Sequence, residues 1–130
     1  MGARRATIVV VESAPLLRKM LRKILEQGGY NVLTAKDGAQ ALHLAAEHSS
    51  SIDLVITNGE LTDTTGLDLA RRLASNFPNV RVLLVSSHSR KGVTLDDGWR
   101  HLQKPYFPSE VLDTVREMLA SGPERGIGFA

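Results

Sequence analysis

Thr7-Ile-Val-Val-Val-Glu-Ser-Ala-Pro-Leu-Leu17 joins an apolar run to the start of a helix. Every residue from Ile8 to Val11 is apolar, and such an unbroken run is typical of a parallel strand that helices cover on both faces. Pro15 suits the first turn of a helix, and Gly28 suits its end. Between them, apolar residues recur at three- and four-residue spacing, which predicts an amphipathic helix. Its predicted apolar face comprises Leu16, Leu17, Met20, Leu21, Ile24 and Leu25.

The alternation of strand and helix continues along the chain. Further strands are predicted at Asn31–Ala35, Asp53–Thr57, Val80–Val85 and Trp99–Leu102, and further helices at Ala39–Glu47, Leu67–Asn76 and Ser109–Ala120. Strands and helices that alternate through short connections predict a (βα)₅ doubly wound parallel sheet. Residues 88–98 have little helical periodicity, so we expect the fourth helix to be short or irregular.

The composition is that of one ordinary soluble domain. The chain has 130 residues, of which 42% are hydrophobic, and 16 Lys and Arg against 14 Asp and Glu give a net charge of +2. We expect one domain over residues 6–120, with flexible termini at 1–5 and 121–130. The lack of cysteine excludes disulfides and thiol chemistry. The small, dispersed net charge predicts no direct nucleic-acid binding. No apolar run has the length of a membrane span or the pattern of a signal peptide, so we expect a cytoplasmic location.

Polar residues follow the predicted strands. In doubly wound sheets, ligands bind at the carboxyl ends of the central strands. Here Glu12 and Ser13 follow the first strand, Asn58 the third, Ser86 the fourth and Lys104 the fifth. We therefore expect these five side chains to lie together at one edge of the sheet.

Five segments in this order resemble the receiver domain of response regulators, the signalling domain of two-component systems, over about residues 6–120. The segments are Ile8-Val-Val-Val-Glu-Ser-Ala-Pro15, Asp37-Gly38, Asp53-Leu-Val-Ile-Thr-Asn58, Gly66-Leu67 and Gln103-Lys104-Pro105-Tyr106. The resemblance implies a flavodoxin-like fold with the strand order 2-1-3-4-5. It also implies a signalling module rather than an enzyme, with protein partners such as a histidine kinase, a phosphotransfer protein or an output domain.

The chain departs from this family at the residues that carry its chemistry. The family has two acidic residues that hold Mg²⁺ and an aspartate that accepts the phosphoryl group, and the matching positions here are Glu12, Ser13 and Asn58. A carboxamide is a poor nucleophile and cannot form an acyl phosphate. With one carboxylate left of three, we expect Mg²⁺ to bind weakly or not at all. Glu60 and Glu12 are an alternative pair of carboxylate ligands for a divalent cation. Gly59 makes Asn58 prone to deamidation, which would restore an acid at position 58.

Three further positions match the family site. The resemblance makes Ser86 and Lys104 phosphate contacts and places His101 where the family has its switch aromatic. Lys104 faces an amide here, so we predict a resting pair between Lys104 and Glu12. His101 is interpreted as a satisfied residue at the edge of the core or, alternatively, as a pH-sensitive switch. A serine–lysine nucleophile built on Lys104 has no legible oxyanion hole, so we set hydrolysis aside.

The resemblance and the departures together predict a pseudo-receiver, which signals through protein contact without phosphorylation of the usual position. One alternative is a receiver that accepts phosphate at Ser13, Ser86, Asp63 or a deamidated residue 58. Another is a small-ligand sensor with its pocket at the strand ends. The basic side of the first helix is either solvated or a docking surface for an acidic partner, and it comprises Arg18, Lys19, Arg22 and Lys23.

Overall fold

A computed structural model describes residues 5–87 and 98–120. These residues form nine elements: β1 (Thr7–Val11), α1 (Pro15–Gln27), β2 (Asn31–Ala35), α2 (Gly38–Glu47), β3 (Ile52–Asn58), α3 (Gly66–Asn76), β4 (Arg81–Ser86), β5 (Trp99–Gln103) and α4 (Pro108–Ala120). The predicted strands and helices agree with these bounds to within one residue at most ends. The predicted fourth helix falls within 88–97, outside the described residues, as do 1–4 and 121–130 of the predicted flexible termini.

The five strands form one parallel sheet in the order β2-β1-β3-β4-β5. This arrangement confirms the predicted doubly wound, flavodoxin-like sheet. Because the strands are parallel, their carboxyl ends lie along one edge of the sheet, and the residues that directly follow β1, β3 and β5 lie there.

Helices cover both faces of the sheet and create two cores. Val10 packs in the core beneath α1 and α4, whereas Val9 and Val11 pack in the core beneath α2 and α3. Successive residues of a strand point to opposite faces of a sheet. The unbroken apolar run of β1 therefore serves both cores.

The predicted buried face of α1 is wrong in part. Leu21 and Leu25 are buried, but Leu16, Leu17 and Met20 are 70%, 42% and 50% exposed. Successive residues of an α-helix are about 100° apart around its axis. Leu16 and Met20 therefore lie on a different side of the helix from Leu21 and Leu25, which face the sheet. The spacing of the apolar residues alone does not separate these two sides.

The start of α4 lies one residue before the predicted start at Ser109. The helix begins at Pro108, and the Glu110 carboxylate accepts a hydrogen bond from Phe107 N–H at 2.6 Å. The Glu110 side chain therefore satisfies a backbone donor at this helix start. No helix within residues 5–87 and 98–120 is both long and apolar enough to cross a membrane.

Candidate functional site

The structure brings the strand-end residues together at the carboxyl edge of the sheet. Glu12 follows β1, Asn58 ends β3, Ser86 ends β4 and Lys104 follows β5. The backbone ladder continues past the strands, since Glu12 N–H donates to Ala35 O at 3.0 Å and Lys104 N–H donates to Ser86 O at 2.9 Å. These residues are therefore held by the sheet itself rather than by free loops.

The Asn58 carboxamide is held at both of its polar atoms. Its Oδ1 accepts a hydrogen bond from Lys104 Nζ at 3.0 Å, and its Nδ2 donates to Glu60 O at 2.8 Å. Gly59 N–H donates to Val85 O at 2.9 Å. The nitrogen that would attack the carboxamide during deamidation is thus engaged in a hydrogen bond, and the fold opposes that reaction.

Glu12 places a negative charge inside the site. The residue is 4% exposed. Its Oε2 accepts a hydrogen bond from Ala14 N–H at 2.9 Å, and its Oε1 lies 3.8 Å from Lys104 Nζ. Burial raises the pKa of the Tyr106 hydroxyl, and the Glu12 charge raises it further. The predicted pair of Lys104 and Glu12 is present, but Asn58 is the closer partner of Lys104.

Arg18 holds the loop between β1 and α1, a role that the sequence did not reveal. Its Nη1 donates to Glu12 O at 2.8 Å and lies 3.4 Å from Ser13 O. Ser13 Oγ is buried and has no hydrogen-bond partner in the described part of the chain. Arg22, in turn, forms an ion pair with Glu26 at 3.1 Å. Charge reversal at Arg18 would disturb the site itself, so this residue is unsuitable for probing a docking surface.

Ser86 and His101, for which separate roles were predicted, contact each other. Ser86 Oγ lies 3.1 Å from His101 Nε2. Leu84 is paired with His101 in the β4–β5 register, and Ser86 lies two positions further along β4. Residues two apart on a strand share a face. The predicted phosphate contact and the predicted switch residue are therefore neighbours on adjacent strands.

The residues present do not fit Mg²⁺, the metal that the family resemblance implies. Mg²⁺ prefers several anionic oxygens in a near-octahedral shell. The Glu12 carboxylate faces the Lys104 ammonium instead, and Asn58 Oδ1 is bonded to that same ammonium. Within the described ranges, no group of three or more His, Cys, Asp or Glu residues is placed to hold a metal ion. The pair of Glu12 and Glu60 stays a prediction.

Asp63, named above as an alternative acceptor, caps the start of α2. Its Oδ1 accepts a hydrogen bond from Gly38 N–H and its Oδ2 accepts one from Ala39 N–H, both at 2.9 Å. These two bonds hold the pKa of the Asp63 carboxyl below its usual value of 3.8. Both oxygens are engaged in positioning a helix, which makes Asp63 a poor candidate for accepting phosphate.

The Asp63→Asn variant should be less stable at neutral pH and less sensitive to acid. A carboxyl whose pKa is lower in the folded state adds stability above its unfolded pKa, and that stability is lost as the pH falls through the folded pKa. The urea midpoints of the variant and of the unmodified protein should therefore converge below about pH 3.8. Asp113→Asn, which changes an exposed carboxylate on α4, is the control. A constant difference at every pH would contradict the prediction.

Comparisons with known proteins agree with the fold. The model of the response regulator receiver domain matches residues 8–116. The chain is 32% identical over 118 residues to the probable transcriptional regulatory protein TcrX of Mycobacterium tuberculosis, covering 87% of this chain and 49% of that protein. It is 27% identical over 118 residues to the sensor kinase CckA of Brucella abortus, covering 88% of this chain and 12% of that protein.

The chain thus spans half or less of the length of these two relatives. Among solved structures, the signal receiver domain of an HD domain-containing protein from Pseudomonas fluorescens Pf-5 is similar, with 28% identity and a TM-score of 0.81. That alignment covers 90% of this chain and 96% of the other. The match of the family model over residues 8–116 and the strand order of the parallel sheet lead to one conclusion: this chain belongs to the response regulator receiver domain family of two-component signalling.

Proposed function

We propose that this receiver domain signals through protein contacts, without a phosphoryl group on residue 58. The observation that carries the proposal is the Asn58 carboxamide, which is bonded to Lys104 Nζ and to Glu60 O. An amide has no anionic oxygen with which to attack phosphorus. In place of an acceptor, position 58 holds a neutral group that links the end of β3 to Lys104.

The charges around the site support the same proposal. Phosphoryl transfer relies on cations that offset the charge of the transferred group. The buried Glu12 carboxylate is already offset by Lys104 and by the Ala14 N–H. Lys104 therefore already interacts with the Glu12 carboxylate and the Asn58 carboxamide. These interactions favour the unphosphorylated structure over a phosphorylated one.

Acetyl phosphate with Mg²⁺ should leave residue 58 without a phosphoryl group. The measurement is the intact mass of freshly purified protein before and after incubation, followed by peptide mapping. A receiver domain that retains the acceptor aspartate, treated in the same way, is the positive control. A hydroxylamine-sensitive phosphoryl group on residue 58 of fresh protein would overturn the proposal, and the mass of the unphosphorylated peptide reports any deamidation.

An exposed apolar surface supports the role of protein contact. We define the α1 patch as Leu16, Leu17 and Met20, which are 70%, 42% and 50% exposed, and Phe107 before α4 is 74% exposed. Contiguous exposed apolar residues mark interaction sites on soluble domains. Lys19 and Lys23 are also exposed on α1, which suits a partner with apolar and acidic residues. We propose that the partner is a histidine kinase, a phosphotransfer protein or an output domain.

The double variant Leu16→Ser/Met20→Ser should bind such a partner at least about tenfold more weakly, because full burial of a Leu or Met side chain contributes about 1.5–3 kcal/mol. The measurement is calorimetric titration against purified kinase and phosphotransfer domains from the same genome, without a phosphodonor. Arg71→Ala, on the other face of the sheet, is the control. Equal affinities of the double variant and the unmodified protein would remove the α1 patch as the docking surface.

A further inference from the structure

The contact between Ser86 and His101 has the geometry of a nucleophile and its base. Ser86 Oγ lies 3.1 Å from His101 Nε2, within the range over which a base takes a proton from a hydroxyl. Neutral imidazole is the side chain most often used for this purpose. Residue types alone indicate Lys104 as the activating partner of a serine, whereas the structure supplies His101.

Ser86 also lines a cavity with room for a small group. The cavity has a volume of about 90 Å³ and is lined by Asn58, Glu60, Ser86, Ser87 and Lys104. This volume corresponds to about three water molecules. Lys104 places an ammonium in the same cavity, and a fixed cation stabilises negative charge that develops on an oxygen during acyl transfer.

We propose that Ser86 is an acceptor for a small acyl group, with His101 as its general base. The donor class is an activated carboxylic acid derivative, such as an acyl phosphate. Ser86 Oγ forms a bond to the carbonyl carbon, and the bond from that carbon to the leaving group breaks with its electron pair. The serine proton passes to His101 Nε2 and then to the leaving group. The products are an ester on Ser86 and, from an acyl phosphate, inorganic phosphate.

The charges in the cavity favour an acyl group over a phosphoryl group. An acyl group is neutral, whereas a phosphoryl monoester carries nearly two negative charges at neutral pH. Glu60 lines the cavity, and the buried Glu12 carboxylate lies 3.8 Å from the Lys104 ammonium. Because the Glu12 carboxylate already offsets the Lys104 ammonium, little net positive charge is left to hold a dianionic phosphoryl ester on Ser86, whereas an acyl ester carries no charge. This inference goes beyond the proposed function, which concerns residue 58.

Acetyl phosphate in buffer containing a metal chelator tests the proposal, because this reagent offers both an acetyl and a phosphoryl group. We expect peptide mapping to place a hydroxylamine-sensitive acetyl ester on Ser86. The ester should be absent in Ser86→Ala and retained in Ser109→Ala, which alters an exposed serine outside the lining of this cavity. In His101→Gln, the rate of acetylation should fall at least about tenfold, because an amide can accept the hydrogen bond from Ser86 but is not a base.

The other outcomes would overturn the proposal in distinguishable ways. A phosphoryl group on Ser86 would show that the acceptor takes phosphorus rather than carbon. Hydroxylamine-resistant acetylation of lysines alone, or no adduct at all, would remove Ser86 as an acceptor. An unchanged rate in His101→Gln would remove His101 as the base. The melting temperature of each variant establishes that it is folded, and a phosphoryl group on residue 58 would bear on the proposed function instead.

Discussion

Gly66→Ala should lower the free energy of unfolding by at least about 3 kcal/mol or prevent folding. Gly66 begins α3, and its N–H donates to Gly59 O at 2.9 Å. A Cβ at this position would collide with Asn58 O and would lie 2.8 Å from Leu84 Cδ1. The carbonyl belongs to the backbone of β3, so it cannot rotate aside as a side chain can. The variant must shift α3 or break the end of the strand that carries Asn58.

Gly38→Ala is the matched control for this prediction. Gly38 also begins a helix, and an added Cβ would meet Thr64 Cγ2 at 2.6 Å. Thr64 Cγ2, and Asp63 Oδ1 at 3.3 Å, belong to side chains rather than to the backbone, so we expect a loss of about 1 kcal/mol. Urea unfolding of both variants measures the difference. Equal losses would show that the close approach of α3 to β3 is not essential.

Lys104→Met should lower the free energy of unfolding by about 1–2 kcal/mol, because it leaves the Glu12 carboxylate without its cation. The Lys104 and Glu12 side chains are 26% and 5% exposed, and their charged atoms lie 3.8 Å apart. Removing one partner of a buried pair costs more than the pair itself contributes, since the remaining charge cannot reach water. The partial exposure of Lys104 places the expected loss below that of a fully buried pair.

The double variant Glu12→Gln/Lys104→Met should recover most of this stability. A double-mutant cycle at neutral pH measures the coupling, which we expect to be about 1 kcal/mol. Arg100→Met is the control, because Arg100 and Glu117 form an exposed ion pair at 2.8 Å whose loss should cost less than about 1 kcal/mol. If the double variant were as unstable as Lys104→Met alone, the loss would come from the bond to Asn58 instead.

The fold could be predicted well because its strands and helices follow from local sequence patterns. The apolar runs of β1 and β4 mark strands buried on both faces, and the glycines and prolines mark helix ends, so the elements could be placed to within a residue or so. The burial of α1 could not be predicted as well. Leu16 and Met20 have the spacing of buried residues, and only the orientation of the helix on the sheet shows that they face outward.

The residues that form the site could be predicted from the sequence, but the contacts between them could not. Topology places the carboxyl ends of parallel strands together, so Glu12, Asn58, Ser86 and Lys104 could be named in advance. The role of Arg18 was missed, because its partners are backbone carbonyls, which every residue has. The role of Asp63 was missed because the amides that it caps lie 25 and 24 residues earlier in the chain.

The order of the elements, the set of side chains at the carboxyl edge and the amide at position 58 all follow from residue identity and local sequence pattern. Which atoms contact each other depends on the packed sheet. Lys104 bonds to Asn58 across 46 residues of sequence, and Ser86 contacts His101 across 15. Such pairs depend on strand register and side-chain direction, which arise only when the whole sheet packs.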